Sequence, residues 1–188
     1  MTVKLKNGHE FLHIPKTGGE WVTKVITELG INYGVIIHKH ATFDWTIVNP
    51  LSSRSKHCIR FTFVRHPVTW YESFWKFMCQ NKWKNLGRPN NRQRWHPNCV
   101  LNGLGSPDFN TFVENVITHR PGYVSELYSQ YTKPGIEFIG RTENLAYDLC
   151  TALRLCGHIF ELEKIESIGR KNLSKNKFLE WDESLRNA

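Results

Sequence analysis

The sequence predicts an α/β fold, with one domain over residues 1–188 and a mostly parallel central sheet flanked by helices. Short runs of β-branched and aromatic residues alternate along the chain with segments whose apolar residues recur at helical spacing. The content of 40% apolar and 13% aromatic residues is typical of a folded core rather than of a disordered chain. No internal repeat and no linker rich in proline, glycine or serine divides the 188 residues, so we expect a single domain.

The amino-terminal half predicts three strands, each followed by a helix. Gly30 is suited to end the first predicted helix. One face of that helix carries the apolar residues Trp21, Val22, Val25, Ile26 and Leu29. The run CIRFTFV predicts a central strand, and Pro67 after it suits the first position of a helix. The predicted strands are residues 10–14, 33–38 and 58–64, and the predicted helices are residues 20–29, residues 41–49 and a segment from Pro67.

The carboxyl-terminal half begins with a long predicted loop. Residues 84–105 are rich in Asn, Gly, Pro and Arg and show little periodicity. Ser106 and Pro107 then suit the cap and the first residue of a helix. A further strand is predicted at residues 136–140, followed by a helix that Thr142 caps and Gly157 ends.

The chain is basic, with 25 lysine and arginine residues against 17 acidic ones and a net charge of +8. No acidic residue lies between Glu72 and Asp108, where the basic residues are Lys76, Lys82, Lys84, Arg88, Arg92 and Arg94. Such a surface suits polyanions, although a solvated basic loop has the same composition. Because Trp83 and Trp95 interleave these charges, the loop is interpreted either as a lid over an anionic glycan or small-sugar acceptor or as a nucleic-acid patch. The lid is favoured and no nucleic-acid partner is expected, since the loop directly follows the helix from Pro67.

The sequence shows no sign of membrane insertion or export. No apolar run approaches the ~20 residues that span a bilayer, and the amino terminus lacks the apolar segment and cleavage site of a signal peptide. We therefore expect a cytoplasmic protein without a membrane span, for which a bacterial or viral source would fit.

Residues 16–19, Lys-Thr-Gly-Gly, stand between the first predicted strand and the first predicted helix. A strand, a turn and a helix in this order aim backbone N–H groups and a helix dipole at an anion. The two glycines allow the backbone to curl closely, and Lys16 adds a positive charge. The usual phosphate loop has its lysine after the glycines, so a nucleoside triphosphatase fits poorly. A plain glycine turn into a helix is the alternative interpretation.

Arg65 and Ser73 predict a second anion site. Arg65 ends a predicted strand, and Ser73 follows it by eight residues, inside the next helix. An arginine fork and a hydroxyl that converge on one anion form a phosphate clamp. Two anion sites at the ends of neighbouring strands suit a nucleotide that is phosphorylated at two separate places.

The stretches FLHIPKTGG and FVRHPVTWYESF, in this order and at this separation, resemble the sulfotransferases that use 3′-phosphoadenosine 5′-phosphosulfate (PAPS). That family includes the heparan sulfate and related carbohydrate O-sulfotransferases. The resemblance implies a P-loop-like turn that holds the 5′-phosphosulfate, and a 3′-phosphate site formed by Arg65 and Ser73. The implied residues of the turn and helix start are Lys16, Thr17, Gly18, Gly19, Glu20 and Trp21.

Two later segments extend the resemblance. FIGRTENLAYDL is similar to a family segment, and RKNLSK, which contains Ser174, is a weaker match to another. Arg141 and Ser174 are therefore candidates for further nucleotide contacts, and a surface ion pair with Glu143 is the alternative for Arg141. The chain departs from the family at Glu20, where Thr or Ser is usual, and a carboxylate there repels phosphate. The Glu20 side chain would therefore point away from the nucleotide or lower its affinity.

The resemblance implies sulfuryl transfer to an acceptor hydroxyl by in-line displacement, in which Lys16 stabilises the leaving oxygens. The resemblance implies His40 as the base. His38 is the alternative, since strand alternation sends it to the same face, and His13, in the first predicted strand, is expected to be structural. We expect no metal, because the donor carries less charge than a triphosphate; a site formed by His38 and His40 with Cys58 or Cys99 is the alternative.

The leading hypothesis is thus a PAPS-dependent O-sulfotransferase that acts on a hydroxyl, most simply one of a carbohydrate. A P-loop small-molecule kinase is a second hypothesis, and it requires a magnesium site. A non-catalytic binder of phosphorylated nucleotides or polyanions is a third, which Glu20 makes plausible.

Overall fold

The computed structural model describes residues 2–35, 39–48, 57–80, 97–169 and 179–186. Over these ranges it contains five strands and eight α-helices. In chain order they are β1 (Val3–Leu5), β2 (Glu10–Leu12), α1 (Gly19–Glu28), β3 (Tyr33–Val35), α2 (Phe43–Val48), β4 (Arg60–Val64), α3 (Pro67–Gln80), α4 (Phe109–His119), α5 (Tyr123–Ser129), β5 (Phe138–Arg141), α6 (Leu145–Leu155), α7 (Leu162–Glu166) and α8 (Glu183–Arg186). Two 3₁₀ helices, Pro97–Leu104 and Thr142–Asn144, complete the described elements.

The five strands form one mixed sheet in the order β3-β1-β2-β4-β5. β2 pairs with β4 and β4 with β5 in parallel, whereas β1 pairs with both β2 and β3 antiparallel. The α/β class is therefore confirmed, but the prediction of a mostly parallel sheet is wrong for half of the pairings.

The antiparallel pairings come from β1, which the sequence analysis missed. Val3 and Leu5 are buried and flank a partly exposed Lys4, and the turn that follows contains Asn7 and Gly8. Gly8 adopts φ 94° and its N–H donates to the carbonyl of Leu5 at 2.9 Å, as in a tight hairpin. The alternation and the Asn-Gly pair signal this hairpin in the sequence, but a three-residue strand is too short to stand out.

The first helix begins and ends close to its predicted limits. Its buried face carries Trp21, Val22, Val25 and Ile26, which join β1, β2, β4 and α6 in one apolar core. Gly30 at φ 71° and the bond from the Ile31 N–H to the Ile26 carbonyl close the helix. This packing fixes the start of α1 beside the carboxyl end of β2.

The described residues fall into two compact units, the first within residues 1–66 and 128–173 and the second within 67–127 and 174–188. The second unit has an aromatic core in which Trp70 stacks on Phe74 at 5.3 Å between ring centroids, and Trp75 meets Phe109 edge-on at 5.6 Å. Its first helix starts at Pro67, as predicted. The prediction of a single domain over 1–188 stays a prediction.

Three local predictions differ from the structure. The described part of the predicted loop 84–105 contains a 3₁₀ helix, Pro97–Leu104, while residues 84–96 lie outside the described ranges. The cap of α4 is Asp108, whose carboxylate accepts from the Thr111 N–H at 2.8 Å, rather than Ser106. Thr142 does not cap α6, because its hydroxyl donates to the carbonyl of Val64 at 3.0 Å. At the two caps, a nearer acceptor or a tertiary contact replaced the local signal.

No helix among the described residues is long and apolar enough to cross a bilayer.

Candidate functional site

The turn between β2 and α1 has an unusual backbone. Lys16 adopts φ 69°, the one positive φ among the described non-glycine residues, and Gly18 adopts φ 81°. Between them Thr17 is fully buried, and its hydroxyl donates to the carbonyl of Ile14 at 2.9 Å. The Gly18 carbonyl accepts the Trp21 and Val22 N–H groups and so starts the helix. A positive φ costs a lysine energy, so the surrounding structure holds this turn in place.

The two glycines are required by packing. A methyl group on Gly19 would overlap the ring of His13, and one on Gly18 would meet the side chain of Leu145. The Gly18 backbone is in addition left-handed, which favours glycine. The structure thus gives both glycines a steric reason within the chain, beyond the room for phosphate that the sequence analysis inferred.

Three basic residues lie around this turn: Lys16, Arg65 and Lys39. The Arg65 Nη1 group donates to the Lys16 carbonyl at 3.5 Å, and Lys39 Nζ lies 2.5 Å from Glu20 Oε1 in the first turn of α1. Burial, reinforced by the charges of Arg65 and Lys39, lowers the pKa of Lys16 to about 8. The three cations therefore act on one another, and an anion placed among them would relieve this repulsion.

Lys39 was not among the predicted site residues. Its backbone is anchored by Thr2, whose N–H donates to the Lys39 carbonyl at 2.9 Å. The available sequence signal was a lysine between two histidines after the predicted strand 33–38. That signal does not reveal which helix the lysine faces.

Glu20 forms an ion pair, which reduces its repulsion of an anionic ligand. Its carboxylate forms the ion pair with Lys39 and lies in the first turn of α1, where the helix dipole favours a negative charge. The Glu20 and Lys39 side chains are 33% and 44% exposed, so water also screens the pair. The prediction that Glu20 binds cofactor stays a prediction.

His40 is buried beside the turn, at 6% exposure. Its Nδ1 lies 2.9 Å from the carbonyl oxygen of His13, and the two imidazole rings are 4.6 Å apart between centroids. Since a carbonyl oxygen can only accept, Nδ1 must carry the hydrogen, and the neutral ring then has its lone pair on Nε2. The hydroxyl of Tyr131 donates to the His40 carbonyl at 2.9 Å and fixes the backbone. His38, the alternative base, lies outside the described residues.

The other predicted residues are placed differently. Trp21 is buried in the core and its Nε1–H donates to the Ile168 carbonyl at 3.0 Å, so its indole N–H is already used. Arg141 ends β5 with an exposed side chain, and its backbone N–H donates to Asp148. Ser73 lies on α3 in the second unit and is partly exposed, while Ser174 lies outside the described residues. Joint action of Arg65 and Ser73 stays a prediction.

Two further residues lie on α2: Asp44 forms an ion pair with Lys133, and Trp45 is 41% exposed. Trp83 and Trp95 of the basic loop lie outside the described residues. Within the described ranges, no group of three or more His, Cys, Asp or Glu side chains is placed to hold a metal ion.

A depression of about 420 Å³ lies elsewhere on the first unit. It is lined by Lys6, Asn7, Leu29, Ile31, His158 and Phe160 among others, and includes none of the predicted site residues. Lys6 is the one lysine or arginine in that lining, so the depression lacks the grouped cations that a phosphorylated ligand requires.

The start of α1 therefore combines backbone N–H groups, three cations and a buried histidine with a defined tautomer. Such a set can hold a phosphorylated anion and accept a proton from a hydroxyl placed beside it. Comparison of the chain with protein-family models, with curated proteins and with solved structures gives no match.

Proposed function

We propose that the protein is a sulfotransferase that binds PAPS at the start of α1 and transfers its sulfuryl group to a hydroxyl, most simply of a carbohydrate. The observation that carries the proposal is the grouping of Lys16, Arg65 and Lys39 around one helix start, with the pKa of Lys16 lowered to about 8 by burial and by its two neighbours. Grouped cations of this kind are compensated when an anion binds among them.

The ligand in this proposal is an adenosine nucleotide with phosphates at two positions. Lys16 and the N–H groups of α1 face one phosphate in this proposal, and the Arg65 guanidinium, which reaches the Lys16 carbonyl, is near enough to serve the same ligand. When bound, PAPS would supply a sulfuryl group that leaves its phosphate oxygen and forms a bond to the acceptor oxygen.

His40 supplies the proton acceptor in this proposal. The acceptor hydroxyl loses its proton to His40 Nε2, which the bond from Nδ1 to the His13 carbonyl leaves with a lone pair. The positive charge of Lys16 opposes the negative charge that builds on the leaving oxygens. The Nδ1 bond and the Tyr131 bond hold the imidazole while this proton moves.

A non-catalytic nucleotide binder is the second candidate, since the same cations would serve it and the Glu20 carboxylate stands in the first turn of α1. The kinase hypothesis has less support, because the acidic residue nearest the turn, Glu20, is engaged by Lys39. A magnesium site needs carboxylate oxygens that are open to the ion.

Calorimetry with adenosine 3′,5′-bisphosphate tests the binding part of the proposal. We expect saturable binding by the wild type and a loss of about 10- to 100-fold in affinity for Lys16→Met, as for other charge-assisted contacts. Lys164→Met, on α7 beside Phe160, is the matched control and should bind like the wild type. Binding of ATP with magnesium in preference to the bisphosphate would favour the kinase, and an absence of heat with the bisphosphate would refute the proposal.

The variant His40→Asn tests the catalytic part. The amide nitrogen of Asn can replace Nδ1 as donor to the His13 carbonyl but offers no base, so His40→Asn should bind the bisphosphate within about threefold of the wild type and transfer no sulfate. Transfer is measured with a labelled donor in an acceptor screen. Turnover by His40→Asn at the wild-type rate would remove His40 from the mechanism, and binding without turnover by the wild type over a broad screen would favour the non-catalytic binder.

A further inference from the structure

The backbone at the end of β4 is held by side chains from two distant segments. The Val64 carbonyl accepts the Thr142 hydroxyl at 3.0 Å, and the His66 N–H donates to Glu143 Oε1 at 2.9 Å. Between them, the Arg65 N–H donates to the Tyr128 oxygen at 3.0 Å, and the Tyr128 hydroxyl donates to the Arg65 carbonyl at 2.6 Å. Three consecutive residues thus have backbone groups bound to Thr142, Tyr128 and Glu143.

Tyr128 has a particular place in this arrangement because its single hydroxyl serves both polar groups of one residue. The oxygen accepts from the Arg65 N–H while the hydrogen goes to the Arg65 carbonyl. Phenylalanine fills the same space and makes neither bond, which would leave both Arg65 groups without these partners in a partly buried place.

The fixed backbone bears on the Arg65 side chain. Arginine has many rotamers, and its guanidinium reaches a defined place only when the direction of its Cα–Cβ bond is set. Here the guanidinium extends to the Lys16 carbonyl at 3.5 Å, across from β4 to the turn before α1. The bonds to Tyr128, Thr142 and Glu143 therefore act at the base of the side chain whose tip reaches the proposed anion site.

We propose that Tyr128, supported by Thr142 and Glu143, is a positioning residue that holds Arg65 for a phosphate group of the nucleotide. This inference rests on the proposed function, because it assigns Arg65 a ligand. It gives the segment IGRTEN a role through Thr142 and Glu143, in place of direct nucleotide contact by Arg141. Tyr128 itself touches the Arg65 backbone and acts on the ligand only through Arg65.

Tyr128→Phe tests this role, with Tyr147→Phe, at a residue 65% exposed on α6, as the matched control. Amide hydrogen exchange followed by NMR should show the Arg65 N–H exchanging at least about tenfold faster in Tyr128→Phe and unchanged in Tyr147→Phe. Calorimetry with adenosine 3′,5′-bisphosphate should show an affinity about three- to tenfold lower for Tyr128→Phe. An unchanged affinity would overturn the proposal.

A double-mutant cycle separates positioning from a general loss of structure. In the Arg65→Met background, Tyr128→Phe should change the affinity by less than about twofold, because the residue through which it acts is gone. An equal loss in both backgrounds would overturn the positioning role while leaving nucleotide binding intact. Absence of binding by the wild type would refute the proposed function and the role of Arg65 with it. If Tyr128→Phe does not fold, Thr142→Val provides the same cycle, with the same outcomes deciding it.

Discussion

At the amino-terminal ends of β2 and β4, Arg60 donates through Nε to Glu10 Oε2 at 2.9 Å, and Glu10 has 0% exposure. The Arg60 N–H also donates to Glu137 Oε2 at 2.6 Å, just before β5. At the carboxyl ends of the same two strands, Lys16 and Arg65 meet each other, and Lys39 joins them with Glu20 as its acidic partner.

The two ends differ in how charge is compensated. At the amino-terminal ends, a buried carboxylate is paired with a partly exposed guanidinium within the protein, which serves the fold. At the carboxyl ends, burial and then the nearby charges of Arg65 and Lys39 lower the pKa of Lys16, so the charged form of Lys16 is disfavoured in the protein alone. Grouped cations that shift a pKa in this way are typical of a functional site, where a ligand adds the opposite charge.

The largest expected effect distinguishes the two arginines. Arg60→Met removes the ion-pair partner of the buried Glu10 and should lower the free energy of unfolding by about 3–5 kcal/mol. Arg65→Met removes one of three neighbouring cations. It should change the free energy of unfolding by less than about 1 kcal/mol while weakening nucleotide binding. Chemical denaturation of both variants measures the difference.

The double variant Glu10→Met with Arg60→Met is the control for that comparison. It removes both charges and should recover most of the stability lost in Arg60→Met, since apolar residues can replace a buried ion pair. Equal destabilisation by Arg60→Met and Arg65→Met would contradict the distinction between the two ends.

The next effect is a pH dependence that only the carboxyl end should show. Lys16 has a pKa lowered to about 8, and a bound phosphate favours its charged form and raises that pKa. Nucleotide affinity should therefore fall as the pH rises above about 8, by up to about tenfold per pH unit. Calorimetry from pH 7 to pH 9.5 measures this, and Lys16→Met should show no such fall.

The stability of the free protein should rise with pH, whereas the nucleotide affinity falls. Unfolded Lys16 has the ordinary pKa of 10.5, so between about 8 and 10.5 the unfolded state binds more protons than the folded one. The contribution of Lys16 to the free energy of unfolding therefore rises with pH in that window. Subtracting the free energy of unfolding of Lys16→Met from that of the wild type isolates this contribution. A fall in the difference between pH 8 and 10.5 would contradict the burial of the charged lysine.

The smallest effect concerns the acidic residue at the carboxyl end. Glu20→Gln removes a negative charge from the first turn and releases Lys39 for the ligand, so the affinity for adenosine 3′,5′-bisphosphate should rise about two- to fivefold. Stability should fall by less than about 1 kcal/mol through the lost helix-dipole and ion-pair contributions. Lys24→Met, which removes the ion pair with Glu28 on the same helix, is the control and should leave affinity unchanged. Weaker binding by Glu20→Gln would show that Glu20 assists the ligand.

Most helices and strands could be predicted because their signals are local. The apolar face of α1, the aromatic and β-branched β4 and Pro67 at the start of α3 each fix an element from a short stretch. β1 was missed because three residues give too little pattern, and the sheet was therefore predicted as mostly parallel. The cap of α4 was misplaced by two residues because Ser106, Pro107 and Asp108 all suit a helix start.

The candidate site was predictable only in part. Lys16 and Arg65 stood out by motif and by their positions after strands, and His40 by the resemblance. Lys39 and Tyr128 could not be found that way, since one faces Glu20 and the other binds the Arg65 backbone through contacts between distant segments. The indole of Trp21 packs in the core and donates to the Ile168 carbonyl, and a contact of Trp21 with the nucleotide stays a prediction.

The sequence by itself determined the alternation of strands and helices and the strand–turn–helix that carries Lys16, because these depend on periodicity and on glycine's access to positive φ. Only the tertiary structure decided which charges meet. It brought Arg65 and Lys39 to Lys16, and it placed His13 against Gly19, with its carbonyl fixing the His40 tautomer. Such contacts depend on how strands and helices far apart in sequence pack, and no single stretch of the chain records that packing.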